Sequence, residues 1–275
     1  MSKARLKTLV IALLVLLNLF FLAIIITDNA KDAQSRRQAV ENVCELLRLG
    51  GISIEPEVIR EFSPLTEMKT TRDTDAEALF ASVTLGETEI TDQGVIYIYE
   101  NSERGRAEFY SAGDFVMRIN EGVVTSTNDR DKIKTVRNLL RDMKLEASQI
   151  VSAYEADREI VSVRCSYGKA SIFNCSVEFV FNGDNLEVIK GRYITGILNT
   201  ESGETLSSPG TALLGLLRAV KRGEVSCESV KSVEAGYYYL IAGSFGEGSI
   251  IPAWLITTDI GSFIYNERTG EIAPA

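Results

Sequence analysis

The sequence predicts an α+β protein in which an N-terminal transmembrane helix is followed by an outer domain of repeated helix-plus-antiparallel-sheet units. Two observations predict it. Residues 9–26 form an apolar run of 18 residues without a charge. Further along the chain, helical stripes of apolar residues alternate with short segments in which apolar residues recur at every second position. A sheet with one apolar face has to be covered, so each helix is expected to pack on a sheet.

The apolar run has the length of a membrane span, which takes about 20 residues to cross a hydrocarbon core of roughly 30 Å. Three basic residues and no acidic residue precede it, namely Lys3, Arg5 and Lys7. Because positive charges stay on the cytoplasmic side, we expect a cytoplasmic leader at 1–8 and a transmembrane helix at 9–27 of a single-pass cell-membrane protein. The rest then lies outside the cell. A cleaved signal peptide is the alternative, although an Ile-Ile-Ile-Thr run stands where a cleavage site needs small residues.

The range 28–127 is assigned to a membrane-proximal helix and a first α+β unit. The helix is predicted at 28–49, where Val40, Val43 and Leu47 recur at helical spacing and Gly50-Gly51 supplies a stop. A meander of three strands is predicted after it, at 94–99, 106–111 and 115–120.

The range 128–275 is predicted as a C-terminal region of two repeat-like units, 128–194 and 208–272. Each unit reads as a helix, two strands, a tight turn and a further strand. The first helix carries an apolar stripe after an Asn cap, formed by Ile133, Val136, Leu140 and Met143. The second helix starts at Ser208-Pro209 and carries the stripe Leu213, Leu217 and Val220.

Charge and composition exclude several classes of function. The chain has a net charge of −9, and its first 27 residues contribute three positive charges, which leaves −12 for the outer domain. Such a surface argues against nucleic acid as a partner, because nucleic acid binding requires Lys and Arg patches. Histidine is absent from the sequence, so Ser-His and Cys-His catalytic pairs are excluded. We expect no enzyme, no catalytic residues, no metal site and no cofactor.

The four cysteines leave two possibilities open. Cys44, Cys165, Cys175 and Cys227 show no C-x-x-C spacing, which disfavours a metal site. Cys165 and Cys175 flank a predicted hairpin turn, and paired cysteines are usual in an oxidising compartment outside the membrane. Buried free thiols are the alternative.

Several sequence features together resemble a known family. They are the basic leader, the Leu-rich span with one Asn, the helix that ends at Gly50-Gly51, and the C-terminal segments Ile251-Pro252-Ala253-Trp254, Tyr265-Asn266 and Thr269-Gly270-Glu271. This layout resembles the YycI (WalI) type of two-component regulatory protein, and its C-terminal pattern is also similar to PepSY-like domains. The resemblance implies a bitopic protein of Gram-positive bacteria that serves the essential, WalK-like sensor histidine kinase of cell-wall metabolism beside a YycH-like bitopic partner. The four cysteines and the acidic domain depart from the family's pattern.

The predicted span supplies a candidate partner contact. Asn18 is its one polar side chain, and an interhelical hydrogen bond in a membrane is worth about 0.6–2 kcal/mol. We predict that Asn18, with Leu14, Leu17 and Phe21, binds a partner membrane helix. A tolerated polar residue, or one used in self-association, is the alternative.

Aromatic residues near the C-terminus supply a second candidate site. Trp254 is the single tryptophan, and Tyr237 and Tyr239 lie on a neighbouring predicted strand. Exposed aromatic side chains often mark binding surfaces, so these three residues are a possible groove for a peptide or glycan. Aromatic packing inside the core is the alternative.

Three functions of different classes follow from these observations. The favoured one is a non-catalytic regulator that binds one state of a sensor kinase better than the other. The second is an extracytoplasmic module that binds peptides or cell-wall fragments, and the third is an anchored hydrolase or a PepSY-like protease inhibitor. An apolar surface without a pocket would favour the regulator, and an aromatic pocket would favour the binding module.

Overall fold

The structure is a computed structural model that describes residues 38–59, 62–126, 128–199, 203, 205–241 and 247–275. The predicted leader and span lie outside the described residues, as do Leu14, Leu17, Asn18 and Phe21. Within the described ranges, every helix is too short or too polar to cross a bilayer.

Four α-helices and fourteen strands make up the described chain, so the predicted α+β class is confirmed. The helices are α1 (38–49), α2 (Thr74–Leu85), α3 (Asp129–Asp142) and α4 (Pro209–Lys221), with a 3₁₀ turn at Pro56–Val58. The first seven strands are β1 (Met68–Thr71), β2 (Glu89–Asp92), β3 (Ile96–Asn101), β4 (Gly105–Tyr110), β5 (Asp114–Ile119), β6 (Ala147–Glu155) and β7 (Arg158–Tyr167). The others are β8 (Ala170–Asn182), β9 (Asn185–Arg192), β10 (Gly196–Asn199), β11 (Val230–Ile241), β12 (Gly248–Thr258), β13 (Ser262–Asn266) and β14 (Ile272–Pro274).

The elements repeat one plan three times. A helix is followed by a four-stranded antiparallel meander in α2 with β2 to β5, in α3 with β6 to β9, and in α4 with β11 to β14. We call these units 1, 2 and 3. The sequence predicted three strands after each of the last two helices, and the structure adds β6 and β14. The predicted domain boundaries themselves stay a prediction.

The three units join into one sheet of 14 strands. Strand β5 of unit 1 pairs antiparallel with β9 of unit 2. Strand β8 of unit 2 meets β11 of unit 3 in a short parallel contact, where Ser171 and Ile172 lie opposite Gly236 and Tyr237. Strand β1 precedes unit 1 in the chain but pairs with β12 and β10. Each junction therefore continues the hydrogen-bond ladder of the sheet from one unit into the next.

The helices cover one face of this sheet. The largest core contains Phe80 of α2, Val136 of α3, and Tyr237 and Tyr239 of β11. A second core contains residues of α1 and α4 together with Val233 of the same strand. Positions 233, 237 and 239 have the same parity in a regular stretch of β11, and alternate residues of a strand share a face. The two cores therefore lie side by side on the same side of the sheet.

The predicted end of the helix at 28–49 is confirmed in detail. Gly51 has a φ of +86°, a conformation that glycine adopts at little cost. The N–H of Ile52 donates to the Leu47 carbonyl over 2.9 Å, and the N–H of Gly51 donates to the Arg48 carbonyl over 3.0 Å. This is the Schellman pattern. Ile52 and Leu47 are both buried in the second core, which completes the motif with its apolar contact.

The sequence pattern did not predict helix α2 or five of the strands, namely β1, β2, β6, β10 and β14. Helix α2 falls in a stretch where only prolines were noted, and its cap is clear in the structure, because the Asp73 carboxylate accepts from the N–H groups of Asp75 and Ala76. Strand β6 lies between the predicted helix and the first predicted strand of unit 2. Eight of its nine residues are exposed.

Candidate functional site

A shallow crevice with room for about one water molecule opens where the three units and strand β1 converge. Its lining comes from the end of β1, from α2, from the turn between β4 and β5, from the chain after β9, and from β11. The residues are Thr71, Arg72, Glu77, Tyr110, Ser111, Gly113, Tyr193, Ile194, Thr195 and Tyr239. We call this place the junction crevice.

A buried ion pair forms the polar part of the junction crevice. Arg72 binds Glu77 in a bidentate manner, with Nε to Oε1 at 2.8 Å and Nη2 to Oε2 at 2.9 Å. The side chains are 12% and 4% exposed. The guanidinium also donates to the Phe109 carbonyl over 2.9 Å and lies 4.4 Å from the centre of the Tyr97 ring. Arg72 thereby ties the chain ahead of α2 to strands β3 and β4.

The burial of this pair changes the acidity of its carboxyl group. Removal from water raises the pKa of Glu77, while the hydrogen bonds and charge of Arg72 act in the opposite direction. Burial disfavours the charged form of an acid and an adjacent cation favours it. The net direction is upward, so the desolvation of Glu77 outweighs its pairing with Arg72.

A second ion pair ties units 1 and 2 together beside the crevice. Arg192 at the end of β9 binds Asp114 at the start of β5, with both nitrogen–oxygen distances at 2.9 Å. The two residues lie directly opposite each other in the β5–β9 ladder. Their side chains are 31% and 46% exposed, and the Asp114 contact raises the pKa of Arg192. This pair is half-solvated, so water screens it and it contributes at most about 1 kcal/mol to stability.

The groups that line the crevice are mostly occupied by the protein itself. Arg72 directs its donors to Glu77 and to two backbone carbonyls. The hydroxyl of Thr195 accepts from the Asp73 N–H over 3.0 Å. Among the described residues, no cluster of acidic or cysteine side chains has the arrangement of a metal site. The crevice is therefore a structural junction between units, and its polar groups hold the units in register.

The predicted aromatic groove residues are brought together only in part. Tyr237 and Tyr239 lie in the largest core with 5% and 4% exposure. Trp254 is fully buried in the second core, where Phe62 meets its ring edge-on at 4.8 Å. All three side chains pack in the interior, which agrees with the alternative that they form part of the core. Binding at these residues stays a prediction.

The four cysteines are free and buried. Cys165 and Cys175 belong to the largest core, whereas Cys44 and Cys227 belong to the second. Burial raises the pKa of Cys165 to about 12, and it raises the pKa of Cys175 as well. A thiol held in its protonated form reacts slowly, because the thiolate is the nucleophile.

Thiol counting tests this arrangement. We expect the native protein to react with a thiol reagent at none of its four cysteines within the time in which the unfolded protein reacts at all four. The measurement is mass spectrometry after labelling with and without denaturant, in material prepared without reductant. Labelling of Cys44 and Cys227 alone in denaturant, and of all four cysteines only after reduction, would instead show a Cys165–Cys175 bridge.

The comparisons with known proteins give little information about the family or the function of this chain. No family model and no curated protein matches it. Among solved structures, it is similar to the YpeB C-terminal domain of Bacillus megaterium, with 11% identity and a TM-score of 0.37. The match covers 74% of this chain and 98% of that chain. A likeness at this level establishes neither a shared fold nor a shared function, so the YycI-type resemblance stays a prediction.

An exposed apolar surface on α1 was not among the predicted sites. Leu46 and Leu49 are 47% and 79% exposed and lie three residues apart, so they are neighbours on one side of the helix. The buried stripe of α1 comprises Val43, Cys44 and Leu47. The sequence already indicated this surface, because the helical spacing assigns Val40, Val43 and Leu47 to the buried stripe and leaves Leu46 and Leu49 outside it.

Proposed function

We propose that this chain is a non-catalytic, membrane-anchored regulator of a sensor histidine kinase, and that it acts together with a second, YycH-like bitopic protein. The supporting observation is the exposed pair Leu46 and Leu49 on α1, the helix that follows the predicted membrane span in sequence. Large apolar side chains exposed together often mark protein contacts. The junction crevice adds support, because its polar groups are engaged inside the protein rather than turned toward a ligand.

The mechanism is a difference in affinity. A regulator shifts a kinase between two states only as far as it binds one state better than the other. A coupling free energy of about 1–3 kcal/mol changes the ratio of the two states about 5- to 150-fold. Contacts in the membrane, through Asn18, and outside it, through α1, would together supply this difference. The continuous sheet behind α1 supports that helix through the second core.

The proposal is tested by crosslinking the intact protein in its own membranes and identifying the captured proteins by mass spectrometry. We expect a sensor histidine kinase and a second bitopic protein. The double variant Leu46→Glu and Leu49→Glu should reduce their recovery at least about tenfold, because a charged group in an apolar contact loses its hydration without gaining a partner. Asn18→Leu should reduce recovery as well.

A matched control distinguishes the loss of a partner contact at α1 from a loss of folding. Ile260 is 58% exposed in the turn between β12 and β13, and Ile260→Glu should leave recovery unchanged. Capture of a protease or of cell-wall fragments in place of a kinase would overturn the regulator and support the PepSY-like or binding-module function.

A further inference from the structure

Strand β6 is a long sheet edge without a partner strand on its outer side. It pairs with β7 and with no other strand of the described chain. It has nine residues, all of them exposed except Ile150, which is half-buried. Along 149–153, the outward N–H and C=O groups are therefore open to another strand, and such an edge is a template for pairing.

The other edges of the sheet are protected and this one is not. Strand β2 has four residues and carries Glu89 and Asp92, β10 has four residues, and β14 has three residues and ends at Pro274. Short length, charge and proline are the devices by which proteins block edge pairing. Strand β6 has none of them between Ala147 and Tyr154, where the sequence is Ala-Ser-Gln-Ile-Val-Ser-Ala-Tyr. Its one bulge lies at the end, between Ala147 and Gln149.

We propose that β6 is the interface through which two copies of this chain form an antiparallel dimer, with Val151 on the two-fold axis. In this register, Val151 lies opposite itself, Ile150 lies opposite Ser152, and Gln149 lies opposite Ala153. No like charges meet along these residues, although the protein is strongly acidic with a net charge of −9. Like charges placed directly opposite each other destabilise a strand pair, so the uncharged strand suits a second copy of the same chain.

The molecule already uses this kind of contact internally. Unit 1 joins unit 2 by antiparallel pairing of the outer strands β5 and β9. A β6–β6 contact would repeat that mode between two molecules and extend each sheet of 14 strands into the other. A two-fold axis makes the contact self-complementary, so the same patch serves both copies.

The burial of the native cysteines allows a selective crosslinking test of this dimer. The four native cysteines are buried, with 8% exposure or less, whereas Val151 is 48% exposed. We expect Val151→Cys in the full chain, in membranes, to give a crosslinked homodimer with a short bis-maleimide reagent, because opposite Cβ atoms lie about 4.5–5.5 Å apart. Ile90→Cys is the matched control, since Ile90 is 58% exposed on the edge strand β2, and it should remain monomeric.

A second variant measures the affinity. Val151→Lys places two ammonium groups against each other on the axis, so it should raise the dimer dissociation constant at least about tenfold, measured by sedimentation equilibrium of the full chain in mild detergent. At dilutions where both chains are monomeric, its thermal midpoint should match the wild-type value, since the side chain is exposed in the monomer. A wild-type chain that sediments as a monomer would overturn the proposal, as would Val151→Cys that crosslinks only to a protein of different mass.

Discussion

Replacing Arg72 with Met should lower the free energy of unfolding by about 3–5 kcal/mol, because it leaves the buried Glu77 carboxylate without its cation. The variant also removes the donors to the Phe109 and Val95 carbonyls. Glu77 has 4% exposure, so water cannot replace the lost contacts. Urea unfolding monitored by tryptophan fluorescence gives the measurement, since Trp254 is fully buried.

The stability that Arg72→Met loses should depend on pH in a defined direction. Burial raises the pKa of Glu77 in the folded protein, so the folded state binds the proton more tightly than the unfolded state does. The stability that comes from this proton is present below the unfolded pKa and is lost as the pH rises through the folded pKa. Removing Arg72 raises the folded pKa further. The deficit of the variant should therefore be smaller in mild acid than at neutral pH.

An exposed ion pair provides the control for Arg72. Arg222 and Glu224 lie 3.0 Å apart with side chains 61% and 52% exposed, so Arg222→Met should cost less than about 1 kcal/mol. The double variant Arg72→Met and Glu77→Leu should recover much of the lost stability, because an apolar pair removes the unpaired charge. Equal losses for Arg72→Met and Arg222→Met would mean that the Arg72–Glu77 pair is solvated.

The amphipathic helices were predictable because their patterns are local. Helix α3 begins after Asn128, whose side chain accepts from the Asp131 N–H, and α4 begins after Ser208 with Pro209 at its first position. Each predicted stripe supplies buried residues, such as Val136 in α3 and Leu213 in α4. Caps and stripes depend on neighbours within four residues, so a sequence alone contains the necessary information.

Helix α2 was missed because it has no polar face. Ala, Leu, Phe and Val occupy seven of its twelve positions, so its apolar residues surround the helix instead of forming a stripe. Its end signals were nevertheless present, with Asp73 as the cap and Gly86 after the last residue at a φ of +69°. The caps would have identified this helix where periodicity could not.

Strand β6 was missed for the opposite reason. It is exposed on both faces, so burial imposes no alternation on its sequence. The turn that links it to β7 also lacks the usual Asn-Gly signal, because Ala156 and Asp157 adopt φ values of +48° and +64°. Two successive residues with positive φ form a tight hairpin turn, and glycine usually occupies at least one of these two positions. A non-glycine residue can occupy this conformation when the surrounding ladder fixes it.

The junction crevice could not be predicted, because it depends on contacts between distant segments. Arg72 contacts the Phe109 carbonyl 37 positions along the chain, and Asp114 pairs with Arg192 across 78 positions. No short motif links such residues. The aromatic residues Tyr237, Tyr239 and Trp254 were visible in the sequence, but their burial follows from the way in which the units share a sheet.

Replacing Gly191 with Ala should lower the free energy of unfolding by about 3 kcal/mol or more, since overpacking and backbone strain each cost about 1–3 kcal/mol. A Cβ atom at this position would lie 2.0 Å from the Ser176 carbonyl oxygen, and the φ of Gly191 is +147°. Gly191 lies opposite Val177 on one side and Phe115 on the other. The clash therefore falls on the strand that joins units 1 and 2.

The matched control is Gly183→Ala in the turn between β8 and β9. Gly183 also has a positive φ, +59°, but its Cβ would meet nothing within 4 Å, so the loss should be only the left-handed strain of about 1–2 kcal/mol. Hydrogen exchange distinguishes the two causes. Gly191→Ala should speed exchange in β5, β8 and β9 together, because these strands share one ladder, whereas Gly183→Ala should affect the turn alone. If both variants lost the same stability, the close approach of β9 to the Ser176 carbonyl would not be a constraint on this sheet.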